Sequence, residues 1–295
     1  MRRRVLFGAV GAALLATPLL TGCQDDAKAG TGGGAKPRIV KDTDDEAVVE
    51  LSDGRRVSLH YEDGTGLLER HQKAKGAPWS QSRTVHATKT EPCRGIDLKA
   101  RRGTVTVRAG FGPYCRDGEP PAQAVAAVGT GRFDAWDTHI SRDLDGWERV
   151  GIAADGGAVT FRSASWSSTT TLPWRAGEGF GKRTTTYKKL DARFLGTWRA
   201  EDGSHRVTFR QAAPDRPATA TVETVEGTRC EVHMDLTNIW KDRVQPREGT
   251  LLAGERTKHC PPEEFNSEYV VANPDGPMSL RELGGTRPLV TYRSL

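Results

Sequence analysis

The chain has 295 residues, which is too long for one small module and predicts two domains. Its formal net charge is +5, but three of the 43 basic residues stand at positions 2–4, and without them 40 basic residues face 38 acidic ones. Because this balance is close to neutral, the isoelectric point near 9.0 does not predict a nucleic-acid partner.

Residues 1–22 have the order of a secretory signal: three arginines, a short apolar run from Val5 to Leu20, and small residues before Cys23. The apolar run of about 16 residues is short for a membrane span, which needs about 20. The sequence Leu20-Thr21-Gly22-Cys23 resembles the lipobox of bacterial lipoproteins, in particular those of actinomycetes. In that family a peptidase cuts before the cysteine after a lipid has been joined to its thiol. The resemblance implies that Cys23 is a lipid anchor on the extracytoplasmic face of the bacterial cell membrane. An ordinary cleaved signal is the alternative.

Residues 23–37 contain no large apolar side chain after the cysteine and predict a flexible tether. Four further cysteines follow, and an oxidising exterior favours disulfides. The two short-range pairs, Cys93 with Cys115 and Cys230 with Cys260, each lie inside one predicted domain. A zinc site is the alternative, but no Cys-x-x-Cys pair is present.

Residues 38–189 show period-two alternation broken by glycine turns, which predicts an all-β domain. One pattern of strand, glycine turn and alternating strand occurs three times, with its turn glycines at 54, 103 and 156. Each copy continues with a third strand, another glycine-containing turn and a fourth strand. The domain is therefore predicted to consist of three four-stranded meanders.

These units resemble, in spacing, the propeller blades of sialidases and kelch proteins. The match is loose, because the Asp-box of sialidase blades has Ser, Asp, Gly and Trp where this chain has Gln72, Ala74, Gly76 and Trp79. Three blades are also fewer than the roughly four to eight that close a propeller. A β-sandwich or a stack of meanders is therefore the alternative.

Residues 190–295 predict a second, barrel-like β-domain. Gly196-Thr197-Trp198 resembles the Gly-x-Trp of lipocalin-like barrels, where the tryptophan plugs the barrel floor, although a plain core position explains Trp198 equally well. The region also resembles the C-terminal β-module of many actinomycete lipoproteins. An eight-stranded barrel is completed by seven further strand-like segments at 206–210, 219–225, 230–236, 249–253, 269–272, 278–283 and 289–292.

No catalytic motif is present: the chain has no serine nucleophile elbow, no His-Glu-x-x-His and no Cys-x-x-Cys. The sequence therefore predicts no catalytic residue, metal or cofactor. Carboxylates beside aromatic rings are a pattern that suits sugar binding. The densest such group, and the predicted ligand site, comprises Phe133, Asp134, Trp136, Asp137, Asp143, Asp145 and Trp147.

Together these features predict a non-catalytic lipoprotein that binds a glycan, peptide or protein partner at the cell surface. The alternative is an extracytoplasmic glycoside hydrolase of the sialidase type, in which two carboxylates cleave the sugar bond.

Replacing Cys23 with Ala is expected to release the protein from the membrane, because two acyl chains on one residue give a stable attachment that a single chain lacks. Fractionation of cells into membrane and soluble material measures this directly. A Cys23→Ala protein that still sediments with membranes as wild type does would contradict the anchor.

Overall fold

The computed structural model describes residues 36–224, 230–247, 250–254, 266–273 and 276–295. The predicted signal, the lipobox with Cys23, and Cys260 lie outside the described residues. The fold is all-β, as predicted, with three antiparallel sheets of four or five strands and a closed eight-stranded barrel. Two short 3-10 helices span Cys115–Asp117 and Ala192–Phe194. In the described part of the chain, no helix has the length and apolar character needed to cross a membrane.

The first three sheets follow the chain as consecutive meanders. Sheet A contains β1 to β5 in order: Arg38–Asp42, Glu46–Glu50, Arg56–Glu62, Gly66–Gln72 and Arg83–Ala87. Sheet B contains β6 to β9: Pro92–Arg101, Thr104–Phe111, Gln123–Gly129 and Trp136–Ser141. Sheet C contains β10 to β14: Arg149–Ile152, Ala158–Ala164, Ser168–Arg175, Gly179–Phe180 and Thr184–Tyr187. All twelve predicted strands are present, and only β1 and β13 were not predicted.

Sheet B is the middle layer, and its strand β8 is buried on both faces. Residues 124–128 of β8 read Ala-Val-Ala-Ala-Val and are at most 2% exposed. Val125 and Ala127 belong to the core shared with sheet A, whereas Ala124, Ala126 and Val128 belong to the core shared with sheet C. Because successive side chains of a strand point to opposite faces, this continuous apolar run is what a doubly covered strand requires.

Equivalent positions of successive sheets face one another. Thr138 Oγ1 donates to the Val85 carbonyl at 3.0 Å, Lys99 Nζ to the Val150 carbonyl at 2.8 Å, and Thr104 Oγ1 to the Gly156 carbonyl at 2.8 Å. These hydrogen bonds join residues 53, 51 and 52 positions apart. The stacking therefore has the same period as the turn glycines in the sequence.

Gly156 shows why one of these turns requires glycine. Its φ is +81°, and a Cβ there would lie 3.1 Å from Arg102 Cβ and 3.2 Å from the Arg101 carbonyl oxygen. Both the left-handed backbone and the close approach of the neighbouring turn exclude a side chain.

The barrel strands, β15 to β23, begin after the second 3-10 helix. They are Gly196–Ala200, His205–Arg210, Thr219–Thr224, Cys230–Ile239, Arg243–Pro246, Thr250–Gly254, Ser267–Val271, Met278–Glu282 and Pro288–Ser294. The ring order is β17-β16-β15-β23-β22-β21-β19-β18, and pairing of β17 with β18 closes it.

One barrel strand differs from the prediction. The segment 249–253 was expected in the ring, but β20 pairs only with the first half of the ten-residue β18, as a ninth strand beside the ring. The ring position is filled by β19, which pairs with the second half of β18 and with β21. Its sequence Arg-Val-Gln-Pro has a single large apolar residue and ends in proline, so the alternation signal is weak.

The barrel interior is packed with large side chains. Phe194, Phe209, Met234, Tyr269 and Tyr292 are at most 2% exposed and belong to one core. Burial raises the pKa of both tyrosine hydroxyls, which hydrogen-bond to each other. The interior is therefore a core filled with side chains.

Trp198 belongs to this same core. Its indole Nε1 donates to the Phe194 carbonyl at 3.0 Å, so the buried donor is satisfied. Its core position agrees with both explanations given for Gly196-Thr197-Trp198.

The disulfide between Cys93 and Cys115 is confirmed, with a Cα–Cα distance of 5.1 Å. It joins the start of β6 to the first 3-10 helix and lies within sheet B and its connections. Cys230 is also disulfide-bonded. The other half of the predicted second pair, Cys260, lies outside the described residues.

A buried carboxylate lies between sheets A and B. Glu69 of β4 has no exposed surface and shares the inner face of the strand with Leu67 and His71. Its Oε1 lies 2.9 Å from His71 Nδ1, but Oε2 has no partner among the described residues. Burial raises the pKa of Glu69, and His71 opposes the shift. The folded state therefore favours the protonated acid.

Replacing Glu69 with Gln is expected to stabilise the protein increasingly as the pH rises. The pKa of Glu69 is higher in the folded state than in the unfolded state, so wild type gains stability from this group below about pH 4.5. This gain is lost as the pH rises through the pKa of Glu69 in the folded state. At pH 7 the free energy of unfolding of the variant should exceed that of wild type by about 1 kcal/mol or more. Urea unfolding at pH 4 and pH 7 measures the difference, with exposed Glu62→Gln as the control. A pH-independent difference would contradict this assignment.

Candidate functional site

A cleft of 750 Å³ lies between the inner face of sheet C and the β9–β10 connection, residues 142–148. We call it the hydroxyl cleft. Six hydroxyl-bearing residues of sheet C and its β11–β12 turn line it: Ser163, Ser165, Ser168, Thr170, Thr185 and Tyr187. Its volume falls within the range of about 300 to 1,000 Å³ that is usual for small-molecule sites.

The hydroxyl cleft exists because the inner face of sheet C changes character along its strands. Toward one end, Phe161 pairs with Leu172 in the core against sheet B. Two residues further along, the same face carries Ser163, Thr170 and Thr185, which stand side by side on β11, β12 and β14. Alternation keeps all of them on one face, so the apolar core ends and a polar floor begins within one sheet.

The floor hydroxyls are positioned by their own hydrogen bonds. The Oγ1 atoms of Thr170 and Thr185 are 3.0 Å apart. Each hydroxyl has one donor hydrogen and two acceptor lone pairs, so this pair retains capacity for a ligand. A row of such groups can both donate to and accept from a polyhydroxylated molecule.

The roof of the hydroxyl cleft is held by an ion pair. Both guanidinium nitrogens of Arg183 donate to the carboxylate of Asp143, each at 2.6 Å. Arg183 lowers the pKa of Asp143, and Asp143 raises the pKa of Arg183. Asp143 is exposed and Arg183 is half-buried, so the main consequence of the pair is geometric: it ties the connection to sheet C beside β14.

Two further carboxylates, Asp145 and Glu148, line the cleft from the same connection. Both are exposed, and neither makes an ion pair with a described residue. Trp147 stands between them, 6% exposed, with its ring 6.0 Å from that of Phe161. Trp147 thus anchors the connection in the core and leaves the two carboxylates available at the cleft.

Trp166 provides the exposed aromatic surface of the cleft. It lies in the β11–β12 turn and is 61% exposed, although its ring packs against that of Trp240 in the barrel, with the centroids 5.7 Å apart and the planes tilted by 39°. The backbone N–H of Ile239 donates to the Trp166 carbonyl at 3.4 Å, and Arg243 lies 4.9 Å from the Trp240 ring. The barrel therefore supports this rim of the hydroxyl cleft.

The structure divides the predicted ligand residues between two places. Asp143, Asp145 and Trp147 lie at the hydroxyl cleft, the first two lining it. Phe133 and Trp136 instead pack into the core between sheets A and B, with their rings 6.2 Å apart.

The two remaining predicted residues hold structural contacts. Asp134 pairs with Arg83 at 2.9 Å and with Arg132 at 3.0 Å, and Arg83 lowers its pKa. Asp137 accepts a hydrogen bond from the indole of Trp174 at 2.7 Å. Neither residue lines the hydroxyl cleft.

Sequence reasoning missed three parts of the cleft: Trp166, Arg183 and the floor hydroxyls. A signal for the floor was present, because the run Ser-Ser-Thr-Thr-Thr at 167–171 replaces the apolar residues expected on the inward positions of a strand. No sequence signal connects Asp143 to Arg183, 40 residues later.

No group of three or more His, Cys, Asp or Glu residues suited to a metal ion is found among the described residues. No known protein-family model matches the chain, and no curated protein matches it either.

Removing the Asp137 carboxylate is expected to destabilise the protein, because the indole N–H of Trp174, 3% exposed, would lose its acceptor. Asp137→Ala should lower the free energy of unfolding by about 1 to 3 kcal/mol, whereas Asp137→Asn, which keeps an acceptor oxygen, should cost less. Denaturant unfolding measures both, with Asp42→Ala as the control, because Asp42 is exposed and its carboxylate makes no ion pair with a described residue. If Asp137→Ala were as stable as wild type, the structural role would be wrong.

Proposed function

We propose that this protein is a lipid-anchored lipoprotein on the extracytoplasmic face of the bacterial cell membrane that binds a saccharide in the hydroxyl cleft, without catalysing its cleavage. The location rests on the Leu20 to Cys23 sequence and its resemblance to a lipobox. The ligand class rests on one observation, the row of Ser163, Thr170 and Thr185 beneath free carboxylates and an exposed tryptophan.

The cleft offers what a sugar requires. Hydroxyls of the floor donate to and accept from sugar hydroxyls, and Asp145 and Glu148 accept further hydrogen bonds. The exposed ring of Trp166 supplies an apolar surface for the carbon-bound hydrogens of a sugar ring. A peptide fits the cleft less well than a sugar. A peptide that binds by strand addition needs an exposed sheet edge, whereas this cleft is lined mainly by polar side chains on the inner face of a sheet.

The ion pair with Arg183 argues against Asp143 as the general acid of a glycosidase. A glycosidase needs one carboxylic acid with a raised pKa to protonate the leaving oxygen. Arg183 shifts the pKa of Asp143 in the opposite direction. Asp143 is therefore suited to hold the connection in place and is poorly suited to act as a general acid.

The double variant Thr170→Val, Thr185→Val tests the ligand class. It removes two hydroxyls from the cleft while keeping the side-chain shape, and Thr169→Val, Thr186→Val is its matched control. The control pair lies in register on the same two strands but on the outer face of sheet C. Binding is measured with the full-length protein in detergent and an immobilised oligosaccharide panel. The cleft variant should bind about 30-fold more weakly than wild type, because two lost hydrogen bonds at about 1 kcal/mol each amount to about 2 kcal/mol, and the control should bind like wild type.

Equal loss in the two double variants, or no binding of any saccharide by the wild type, would rule out the proposed function. A panel of fluorogenic glycosides separates binding from hydrolysis. Turnover by the wild type that is lost in Asp145→Asn or Glu148→Gln would replace the binding role with the hydrolase.

A further inference from the structure

The hydroxyl cleft borders a second cleft at the β9–β10 connection. This second space, the disulfide cleft, has a volume of 410 Å³ and is bounded by Cys93 and Cys115 on one side and by the connection on the other. Asp145 and Glu148 line both clefts. The two spaces therefore meet at these carboxylates.

Two smaller spaces share lining residues with the disulfide cleft. A space of 360 Å³ shares Asp97, Arg108 and Glu148 with the disulfide cleft. Another space of 220 Å³ shares Arg94 and the disulfide with it and is also lined by Asp44, in the turn between β1 and β2. Each of these spaces therefore borders the disulfide cleft.

The walls of the disulfide cleft are fixed before any ligand arrives. The disulfide joins two wall residues, and Pro121 lies so close to Gly110 that a Cβ there would be 3.0 Å from the proline ring. Arg108 donates to the Trp147 carbonyl at 3.0 Å and ties sheet B to the connection. A rigid groove avoids the ordering cost that a flexible one pays on binding.

Several polar groups of the disulfide cleft have no partner among the described residues. Arg94 and Glu119 make no ion pair there, and the indole Nε1 of Trp147, in a side chain that is more than nine-tenths buried, has no acceptor. Arg94 and Glu119 are exposed and line the cleft, so their charged groups are available to form hydrogen bonds with a ligand there.

We propose that the hydroxyl cleft and the disulfide cleft bind one extended oligosaccharide chain, which crosses Asp145 and Glu148 and places its successive units on both sides of the connection. The proposal rests on saccharide binding at the hydroxyl cleft and adds the length of the ligand. A single sugar would occupy the hydroxyl cleft alone, and the fixed polar walls beyond Glu148 would then have no role in binding.

The experiment compares dimers with hexamers of several neutral and acidic polysaccharides, titrated against the full-length protein in detergent. In any series that binds, the hexamer should bind about tenfold or more tightly than the dimer, because only the longer chain contacts both clefts. The double variant Arg94→Ala, Glu119→Ala, which leaves the net charge unchanged, should bind the dimer like wild type and lose most of the gain at the hexamer. The control is Asp117→Ala. Asp117 is exposed and lies two residues before Glu119, but it does not line the cleft.

Three results overturn the proposal, and they are distinguishable. Equal affinity for dimer and hexamer limits the site to the hydroxyl cleft and leaves the proposed function intact. A hexamer gain that survives in Arg94→Ala, Glu119→Ala places the extra contacts elsewhere. Absence of binding in every series removes the proposed function and the two-cleft site together.

Discussion

The double burial of β8 is the constraint on which the first three sheets depend. A strand covered on both faces has no position for a charged side chain, and β8 accordingly has none between Gln123 and Gly129. Its alanines keep the layers close, and a larger residue at Ala126 would have to displace sheet C. Once β8 is fixed, its neighbours in sheet B are fixed by hydrogen bonding, and sheets A and C are fixed by packing.

The cleft is a consequence of this layering. The strands of sheet C extend beyond the apolar residues that pack against sheet B. The connection from β9 to β10 passes over the part of sheet C that sheet B does not cover. Trp147 closes the core at that point against Phe161. Beyond it, hydroxyls face a loop of charged residues, and the geometry that stabilises the fold thereby creates the site.

The repeat pattern was predictable because turns and alternation are local properties. Glycines 54, 103 and 156 predicted three meanders with their strands, and the sheets stack with the same period. The site was only partly predictable, because it depends on which aromatic residues the stacking buries. Trp136 and Trp147 look like binding residues in the sequence, yet both pack into cores, while Trp166, in a turn of serines, is exposed. The ring strand β19 was not predicted because its own sequence alternates only weakly. It is a strand because it pairs with the second half of the ten-residue β18.

The contact between the rings of Trp166 and Trp240 lets a substitution in the barrel affect the cleft. The floor of the cleft belongs to sheet C, but the support of its aromatic rim belongs to the barrel. A change at Trp240 of the barrel therefore alters a contact made by the rim of the cleft. Trp240 does not line the cleft, so a substitution at position 240 would act on the cleft only at second hand, through the exposed ring of Trp166.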